Sequence, residues 1–175
     1  MLMRTSRKCA TPATANSGTH KPTMPVHRET RVLPYAPEQV YDLVAGVEKY
    51  PEFLPWCVAC RIKQRETPNS FTADMAVGFK MVREKFTSRV RLTPKSAITI
   101  EYLDGPFEHL TNEWTFSADP NGTKLAFYLE FEFRSKVLQK LIGVLFEEAV
   151  KRMVAAFEAR AAKIYGSAGS VAKSP

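Results

Sequence analysis

Residues 124–146, KLAFYLEFEFRSKVLQKLIGVLF, change their hydrophobic period partway along. In the first half every second residue is apolar: Leu125, Phe127, Leu129, Phe131 and Phe133. This alternation predicts a strand with one buried face. From Ser135, a suitable N-cap, the apolar residues instead follow the 3.6-residue period of a helix. The stretch therefore predicts a strand followed directly by an amphipathic helix.

The predicted helix is long. Its pattern runs over residues 135–165, and Gly166 suits its C-terminal end. A helix of about thirty residues spans roughly 45 Å. Because an amphipathic helix must bury its apolar stripe, we expect it to pack lengthwise across a curved sheet, with four residues facing that sheet: Leu141, Leu145, Met153 and Phe157.

Upstream of this stretch the patterns are mainly those of strands. A first strand is predicted at 26–33, followed by short helices at 38–44 and 47–53. Strands follow at 58–66, 71–79, 82–92, 97–102 and 110–116, and Asn121-Gly122 marks a hairpin into the last one. The predicted fold class is α+β, with one strand, two short helices, six strands and a long helix.

We assign residues 26–166 to one domain, between a disordered segment at 1–25 and a flexible tail at 167–175. The N-terminal segment is rich in Ser, Thr, Ala and Pro, and it contains Arg but no acidic residue, as a mitochondrial transit peptide does. Alternatively, Met24 is the natural start of the protein. Both interpretations remain open on the sequence.

Charge and hydropathy exclude two classes of protein. The net charge is +7, but four basic residues precede Pro25, which leaves only +3 for the rest, with no polybasic block. We therefore predict no DNA partner. No apolar run reaches the ~20 residues that cross a bilayer, so we expect no membrane-spanning helix. Three cysteines and no signal peptide indicate a reducing, cytosol-like compartment.

The inward faces of the predicted strands are almost entirely apolar, which favours a pocket for a lipid-like ligand. The alternative is a closed core filled by the aromatic residues Phe71, Phe79, Phe86, Trp114, Phe127 and Phe131. Glu84 is the polar exception on an inward face. Because a buried carboxylate needs a partner, Glu84 either pairs with a base, faces a polar ligand headgroup, or is simply exposed.

The stretch YPEFLPWCVAC, residues 50–60, contains the spacing of a redox or zinc site in Cys57 and Cys60. The residues after it alternate as a strand does, so we expect the two thiols on opposite faces rather than at a helix N-terminus. Zinc needs two further ligands. We therefore predict no metal site and interpret Phe53, Leu54 and Trp56 as an apolar flap at a cavity entrance.

Catalytic signatures are not evident. The histidines are His20, His27 and His109, and none has an evident nucleophile partner. No P-loop, GxGxxG or HExxH motif occurs. We predict that the protein has no catalytic residues.

Three motifs in order are similar to those of the coenzyme Q-binding protein family, a branch of the START (helix-grip) superfamily that includes bacterial ribosome-association toxins. They are YPEFLPWC from Tyr50, VGFKMVREKFTS from Val77, and GPFEHLTNEW from Gly105, within a resemblance that covers about 25–166. The resemblance implies a seven-stranded antiparallel sheet curled around the C-terminal helix. It also implies non-catalytic binding of ubiquinone or a similar isoprenoid lipid, with no cofactor, as a quinone carrier or chaperone for respiration or quinone biosynthesis.

The expected location is cytoplasmic and peripheral to a bacterial inner membrane, with transient contact with the membrane surface, or alternatively mitochondrial. The residues that we expect to bind the lipid are Phe53, Leu54, Trp56, Phe79, Glu84, Phe86, Val90, Trp114, Leu145 and Met153.

Two other functions remain open. In a toxin-like function the protein binds the large ribosomal subunit and blocks subunit joining, and a basic stripe on one strand face could contact rRNA phosphates: Arg83, Lys85, Arg89 and Arg91. In an enzymatic function, by analogy with the polyketide cyclases of this superfamily, the only candidate polar groups for the cavity are Glu84 and His109.

Overall fold

The computed structural model describes residues 25–166. The predictions for the N-terminal segment and for the tail at 167–175 lie outside these residues, apart from Pro25.

The described chain contains seven strands, two α-helices and one 3-10 helix. In chain order they are β1 (Val26–Leu33), α1 (Pro37–Ala45), the 3-10 helix (Val47–Glu52), β2 (Cys57–Thr67), β3 (Ser70–Phe79), β4 (Val82–Thr93), β5 (Ala97–Asp104), β6 (Phe107–Asp119), β7 (Gly122–Phe133) and α2 (Lys136–Tyr165). This order confirms the prediction from the sequence.

The strands form one antiparallel sheet in the order β1-β7-β6-β5-β4-β3-β2. Consecutive strands from β2 to β7 are neighbours, and β1 pairs with β7 at the edge opposite β2. The segment that contains the two short helices therefore connects the two edges of the sheet. The predicted Asn121-Gly122 turn joins β6 and β7. Gly122 has φ of 131°, and a Cβ there would lie 2.1 Å from the Leu33 carbonyl oxygen, so the turn requires glycine.

The termini of α2 follow the sequence signals. The Ser135 hydroxyl oxygen accepts a hydrogen bond from the backbone N–H of Leu138 at 3.3 Å, and Gly166 ends the helix with φ of 89°. None of the helices within the described range is long and apolar enough to cross a lipid bilayer.

The sheet curves around α2. Glu158 of α2 pairs with Arg31 of β1 at 2.8 Å, and Glu148 of the same helix pairs with Lys80, after β3, at 3.2 Å. In a flat sheet β1 and β3 would lie about 24 Å apart, five strand spacings. One helix contacts both regions because the sheet bends toward it.

The face of α2 that packs on the sheet differs from the prediction at one residue. Phe157 is buried and Leu145 and Met153 are half-buried, but Leu141 is 41% exposed. At about 100° per residue, Leu141 lies about 160° around the helix from Phe157, whereas Ile142 lies only about 60° away. Ile142 therefore faces inward, and the prediction for Leu141 was wrong.

The interior contains two apolar clusters. The larger one lies under α1 and the C-terminal half of α2 and includes Val40, Val44, Trp114, Phe127 and Phe157. The smaller one consists of Phe107, Phe131 and Phe133 and packs against the N-terminal half of α2 through Leu138, Ile142 and Phe146. The candidate site lies beside the smaller cluster.

Candidate ligand-binding cavity

A cavity of about 230 Å³ lies between the sheet and the N-terminal half of α2. Fourteen of its sixteen lining residues are apolar: Trp56, Met75, Val77, Val82, Phe86, Phe107, Leu110, Leu129, Phe131, Phe133, Ile142, Leu145, Phe146 and Ala149. The other two are Glu84 and Asn112. A cavity of this composition suits a largely apolar ligand that carries a small polar group.

Cross-strand pairs build the sheet side of the cavity. On β6 and β7 the directly opposed pairs are Phe107 with Phe133, Leu110 with Phe131, and Asn112 with Leu129. On β3 and β4 they are Met75 with Phe86, and Val77 with Glu84. Period-two alternation directs the β3, β4 and β7 side chains, and Leu110 and Asn112 of β6, to the same face. Phe107 lies three residues before Leu110, and the register shift between Phe107 and His109 brings it to that face as well. The wall therefore follows from the apolar alternation and from this irregularity in β6.

The β5–β6 turn positions the aromatic end of this wall. Gly105 has φ of 137°, and a Cβ there would lie 2.7 Å from the Cβ of Phe86. This close approach of the turn to β4 requires glycine. It brings the rings of Phe86 and Phe107 into an edge-on contact with centroids 5.5 Å apart.

The helix side of the cavity is less tightly packed than the rest of α2. The buried residues of α2 are Val150, at the middle of the helix, and Phe157 and Ala161 in its C-terminal half. The N-terminal half contributes Ile142, Leu145, Phe146 and Ala149 to the cavity wall. Its outer face exposes Val137 and Val144, each at 81%. Residues 136–149 of α2 contain no buried residue, so this part of the helix packs less closely on the sheet than the part from Val150 onward.

Two polar side chains reach the cavity. Glu84 is half-buried, and no ion pair among the described residues involves it, so of the three alternatives the pairing with a base is not observed. The Oδ1 atom of Asn112 is buried and has no hydrogen-bond partner within residues 25–166. A buried carbonyl oxygen without a partner costs about 1–3 kcal/mol. Asn112 was not predicted from the sequence, although it is a polar residue between Leu110 and Trp114 on an inward face. The same pattern identified Glu84.

The predicted lipid-binding residues divide into groups. Trp56, Glu84, Phe86 and Leu145 line the cavity. Leu54 and Val90 are buried in the larger apolar cluster instead, and Phe53 and Met153 pack against it. Phe79 belongs to β3, but its side chain lies outside the described part of the structure.

The flap prediction was wrong for Leu54, which is only 6% exposed. The backbone N–H groups of Leu54 and Cys57 bond to the carbonyls of Tyr50 and Leu54, which folds this segment back onto the core. Phe53 contacts the rings of Tyr50 and Phe157 at centroid distances of 5.8 and 5.2 Å. Only Trp56 of the three flap residues reaches the cavity.

Trp114 lines a second, smaller space. It borders a cavity of about 40 Å³ together with Val40, Leu43, Phe127 and Phe157. This volume is close to the roughly 30 Å³ that one water molecule occupies in the liquid, so the space is too small for a ring. Trp114 is therefore part of the core and not of the larger cavity.

Cys57 and Cys60 both face the core, which corrects the prediction of opposite faces. The pairing register of β2 with β3 shifts between Cys57 and Ala59, and this bulge turns both thiols inward. Burial raises the pKa of Cys57 to about 11 and that of Cys60 to about 12. Both thiols are consequently protonated at neutral pH, unlike reactive cysteines.

The other candidate chemical groups lie outside the cavity. His109 is exposed on the outer face of β6, 3.7 Å from Glu130. Within residues 25–166, no three His, Cys, Asp or Glu side chains form a group that could hold a metal ion. The basic stripe on β4 faces outward as predicted, but Arg89 pairs with Glu66 at 3.1 Å and Arg91 with Glu101 at 2.8 Å.

Similar proteins include both binding proteins and toxins. The ribosome association toxin RatA of Rickettsia prowazekii is 38% identical over 141 residues, which cover 78% of this chain and 96% of that protein. The mitochondrial coenzyme Q-binding protein COQ10 homolog B of Xenopus laevis is 38% identical over 146 residues, which cover 80% of this chain and 59% of that protein.

Solved structures show the same fold. The 18 kDa protein CC1736 of Caulobacter crescentus is 37% identical, with a TM-score of 0.69 over 82% of this chain and all of that one. The Zhui aromatase/cyclase of Streptomyces sp. R1128 has a TM-score of 0.72 over 85% of this chain and all of that one, at 19% identity. The second similarity is one of fold alone.

The family follows from these matches and from the sheet and helix arrangement. A family model described as polyketide cyclase / dehydrase and lipid transport matches residues 33–158, from the end of β1 to the last turns of α2. The chain belongs to the polyketide cyclase / dehydrase and lipid transport family, and it has the START-like helix-grip fold.

Proposed function

We propose that the protein binds ubiquinone or a similar isoprenoid lipid in the cavity under α2 and carries it without chemical conversion, for respiration or quinone biosynthesis. The observation behind this proposal is the lining of the 230 Å³ cavity, in which fourteen of sixteen residues are apolar. The name of the COQ10 relative supports quinone as the ligand class.

The size of the cavity limits how much of such a lipid it holds. About 230 Å³ is below the ~300–1,000 Å³ of sites that enclose a drug-sized ligand. A substituted ring and the beginning of a prenyl tail suit this volume, and the rest of a long tail must leave it. Each buried CH2 contributes about 0.8 kcal/mol at most, so the first prenyl units supply useful affinity.

A carrier needs no catalytic group, and the cavity offers few. Glu84 is the only ionisable side chain in its lining, and His109 lies on the outer face of β6. General acid–base catalysis uses positioned groups within hydrogen-bond reach of the substrate. The absence of a second ionisable group from this lining favours binding over the cyclase-like alternative.

Quinones reside in membranes, so the carrier must contact a lipid surface. The outer face of the N-terminal half of α2 exposes Val137, Leu141 and Val144, at spacings of four and three residues. Lys136 and Lys140 border this apolar stripe. Apolar side chains beside lysines match the boundary of an anionic bilayer. We infer that this stripe, and not the residue 53–56 segment, contacts the membrane, at a bacterial inner membrane or in a mitochondrion.

The proposal is tested by titrating delipidated protein with a short-tailed ubiquinone, using quenching of tryptophan fluorescence, because Trp56 lines the cavity. Ala149→Phe fills the cavity and should weaken binding at least about tenfold. Ala155→Phe, at an exposed position on the same helix, is the matched control and should bind as the parent does. Saturable binding that is equal in all three proteins would place the ligand elsewhere, and no binding to folded parent protein would refute the proposal.

Ribosome association is the second candidate function. The RatA relative matches nearly along its full length, and the β4 stripe presents arginines to solvent. Arg89 and Arg91 already form ion pairs with Glu66 and Glu101, which argues against this function. Sedimentation of the protein with large ribosomal subunits tests this function. Binding that disappears in Lys85→Glu/Arg91→Glu but persists in Lys124→Glu, on β7, would support it, and no co-sedimentation at low salt would exclude it.

A further inference from the structure

The β3–β4 hairpin and the helix α2 border the same cavity from opposite sides. Val77 of β3 and Val82 of β4 line it close to the tip of the hairpin, and Leu145 and Ala149 line it from the helix. The tip itself consists of the two residues between the strands, Lys80-Met81. A movement of this tip relative to α2 therefore changes the width of the gap between the two walls.

An ion pair connects the hairpin tip to the helix. The Lys80 Nζ atom lies 3.2 Å from a carboxylate oxygen of Glu148, the neighbour of Ala149. The hydrogen bond from Lys80 holds the pKa of the Glu148 carboxyl below its usual value, so the pair is ionised at neutral pH. The two side chains are 52% and 41% exposed. An exposed ion pair contributes little stability, so competing charges can replace it.

The stripe of exposed apolar residues on α2 ends at this ion pair. Val137, Leu141, Val144 and Glu148 follow one another at spacings of four, three and four residues. At about 100° per residue, all four lie within about 60° of one another around the helix. The contact with Lys80 therefore places the hairpin tip at the C-terminal end of the stripe.

The hairpin tip has the same chemical character as the stripe. Met81 is 91% exposed, although the adjacent Val82 is buried. Lys80 lies beside Met81, as Lys136 and Lys140 lie beside the stripe. Apolar side chains next to lysines match the boundary of an anionic bilayer. The tip and the stripe therefore form one surface that suits such a bilayer.

We propose that the hairpin tip contacts the same anionic membrane as the stripe, and that lipid phosphates there replace Glu148 as the partner of Lys80. This inference rests on the proposed function. Loss of the ion pair releases the tip from α2 and opens the cavity toward the bilayer between Val82 and Ala149. The lipid ligand then enters without crossing water. Away from the membrane the ion pair forms again and holds the tip against the helix.

Carbodiimide cross-linking measures this ion pair directly, because it joins a lysine to a carboxylate that is in contact with it. The yield of the Lys80–Glu148 link is determined by mass spectrometry with phosphatidylcholine vesicles and with vesicles that contain roughly one third phosphatidylglycerol. We expect the anionic vesicles to lower the yield about threefold or more, and the neutral vesicles to leave it unchanged. The Lys95–Glu38 pair, at 3.6 Å, is the internal control. Its yield should not change, because α1 lines no part of the cavity.

Two matched variants test the role of the ion pair in lipid uptake. Glu148→Gln removes the pair, whereas Glu147→Gln removes the same charge from the exposed neighbouring position and keeps the pair. Delipidated protein takes up short-tailed ubiquinone from phosphatidylcholine vesicles, and tryptophan quenching follows the rate. Glu148→Gln should accelerate this uptake about threefold or more, and Glu147→Gln should match the parent.

A third variant tests the membrane contact of the tip. Met81→Ser should bind anionic vesicles about tenfold more weakly in flotation, because it removes a large apolar side chain from the contact. Its affinity for short-tailed ubiquinone in the absence of vesicles should equal that of the parent, since Met81 does not line the cavity. Unchanged flotation of Met81→Ser would contradict the contact.

The outcomes separate this inference from the proposed function. A cross-link yield that anionic vesicles leave unchanged, or equal uptake rates for Glu148→Gln and Glu147→Gln, contradicts the opening of the ion pair while lipid binding in the cavity stands. Failure of folded parent protein to bind ubiquinone in the absence of vesicles contradicts the proposed function and the role of the ion pair in lipid uptake together.

Discussion

Asn112 and Trp114 lie two residues apart on the inward face of β6, but they border different spaces. Asn112 faces the 230 Å³ cavity, whereas Trp114 lines the 40 Å³ space beside α1. The Trp114 ring lies 4.2 Å from the Phe127 ring and 5.7 Å from that of Phe157, measured between centroids. This aromatic contact closes one end of the protein and leaves the cavity at the other.

Trp114 should therefore be a stability residue. Trp114→Ala removes the centre of this contact and is expected to lower the free energy of unfolding by about 3–5 kcal/mol. Val144→Ala, at an exposed site, should change it by no more than about 0.5 kcal/mol. Urea denaturation measures both. A loss below about 1 kcal/mol for Trp114→Ala would show that this end of the interior is not closely packed.

Affinity should depend on tail length only over the first prenyl units. A volume of about 230 Å³ has room for a ring and the beginning of a tail, so further units should remain outside and add little. Ubiquinones with one, two and four prenyl units can be compared by calorimetry in the absence of vesicles. We expect a marked gain from one unit to two and less than about threefold from two to four. A constant gain for each unit would indicate a longer channel.

The stripe at the start of α2 should control membrane contact. Val137→Ser/Val144→Ser removes two valines that are each 81% exposed, and the double variant should bind anionic vesicles up to about a hundredfold more weakly. Val32→Ser is the control. Val32 of β1 is also an exposed valine, and it pairs with Lys124 at the end of β7 that is far from the start of α2. Vesicle flotation, with circular dichroism as a check of folding, measures the effect. Equal flotation of all three proteins would move the contact surface elsewhere.

The thiols of β2 should react slowly at neutral pH. Their pKa values of about 11 and 12 leave far less thiolate than the pKa of about 8.5 of a free cysteine. Alkylation of Cys57 and Cys60 at pH 8 should therefore be at least about a hundredfold slower than that of a cysteine peptide, and it should accelerate as the pH rises toward 11. Mass spectrometry of the peptides separates these sites from Cys9. Rapid modification at pH 8 would indicate a reactive pair.

Replacement of both thiols should leave ligand binding intact. Neither Cys57 nor Cys60 lines the cavity, so Cys57→Ala/Cys60→Ala is expected to bind the short-tailed ubiquinone within a few-fold of the parent. The same fluorescence titration measures this affinity. Loss of binding in a folded double variant would restore the cysteines as candidate site residues.

Local signals in the sequence predict the order of the elements well. Ser135 acts through its hydroxyl on the neighbouring backbone, and Gly166 and the Asn121-Gly122 turn act through their own backbone. Their positions therefore define where α2 and the last hairpin begin or end. The alternation in the strands likewise predicts which side chains face inward. The fold class and the inward position of Glu84 follow from these signals.

The limits of the cavity depend on contacts between distant elements. Phe86 and Val90 share the inward face of β4, but only Phe86 lies opposite the loosely packed half of α2. Leu141 and Ile142 are adjacent apolar residues, and the helix register decides which of them is inside. A bulge at Cys57 reverses the face of the residues that follow it. Alternation alone contains none of this information.

The most direct test of lipid carriage is extraction of the purified protein with organic solvent, followed by mass spectrometry for prenylated quinones and hydroquinones. The parent protein and Ala155→Phe should each yield such a lipid in a fixed ratio to protein, and Ala149→Phe should yield little, because its added ring occupies the cavity. An equal yield from Ala149→Phe, or no prenyl lipid from any of the three proteins, would contradict lipid binding in this cavity.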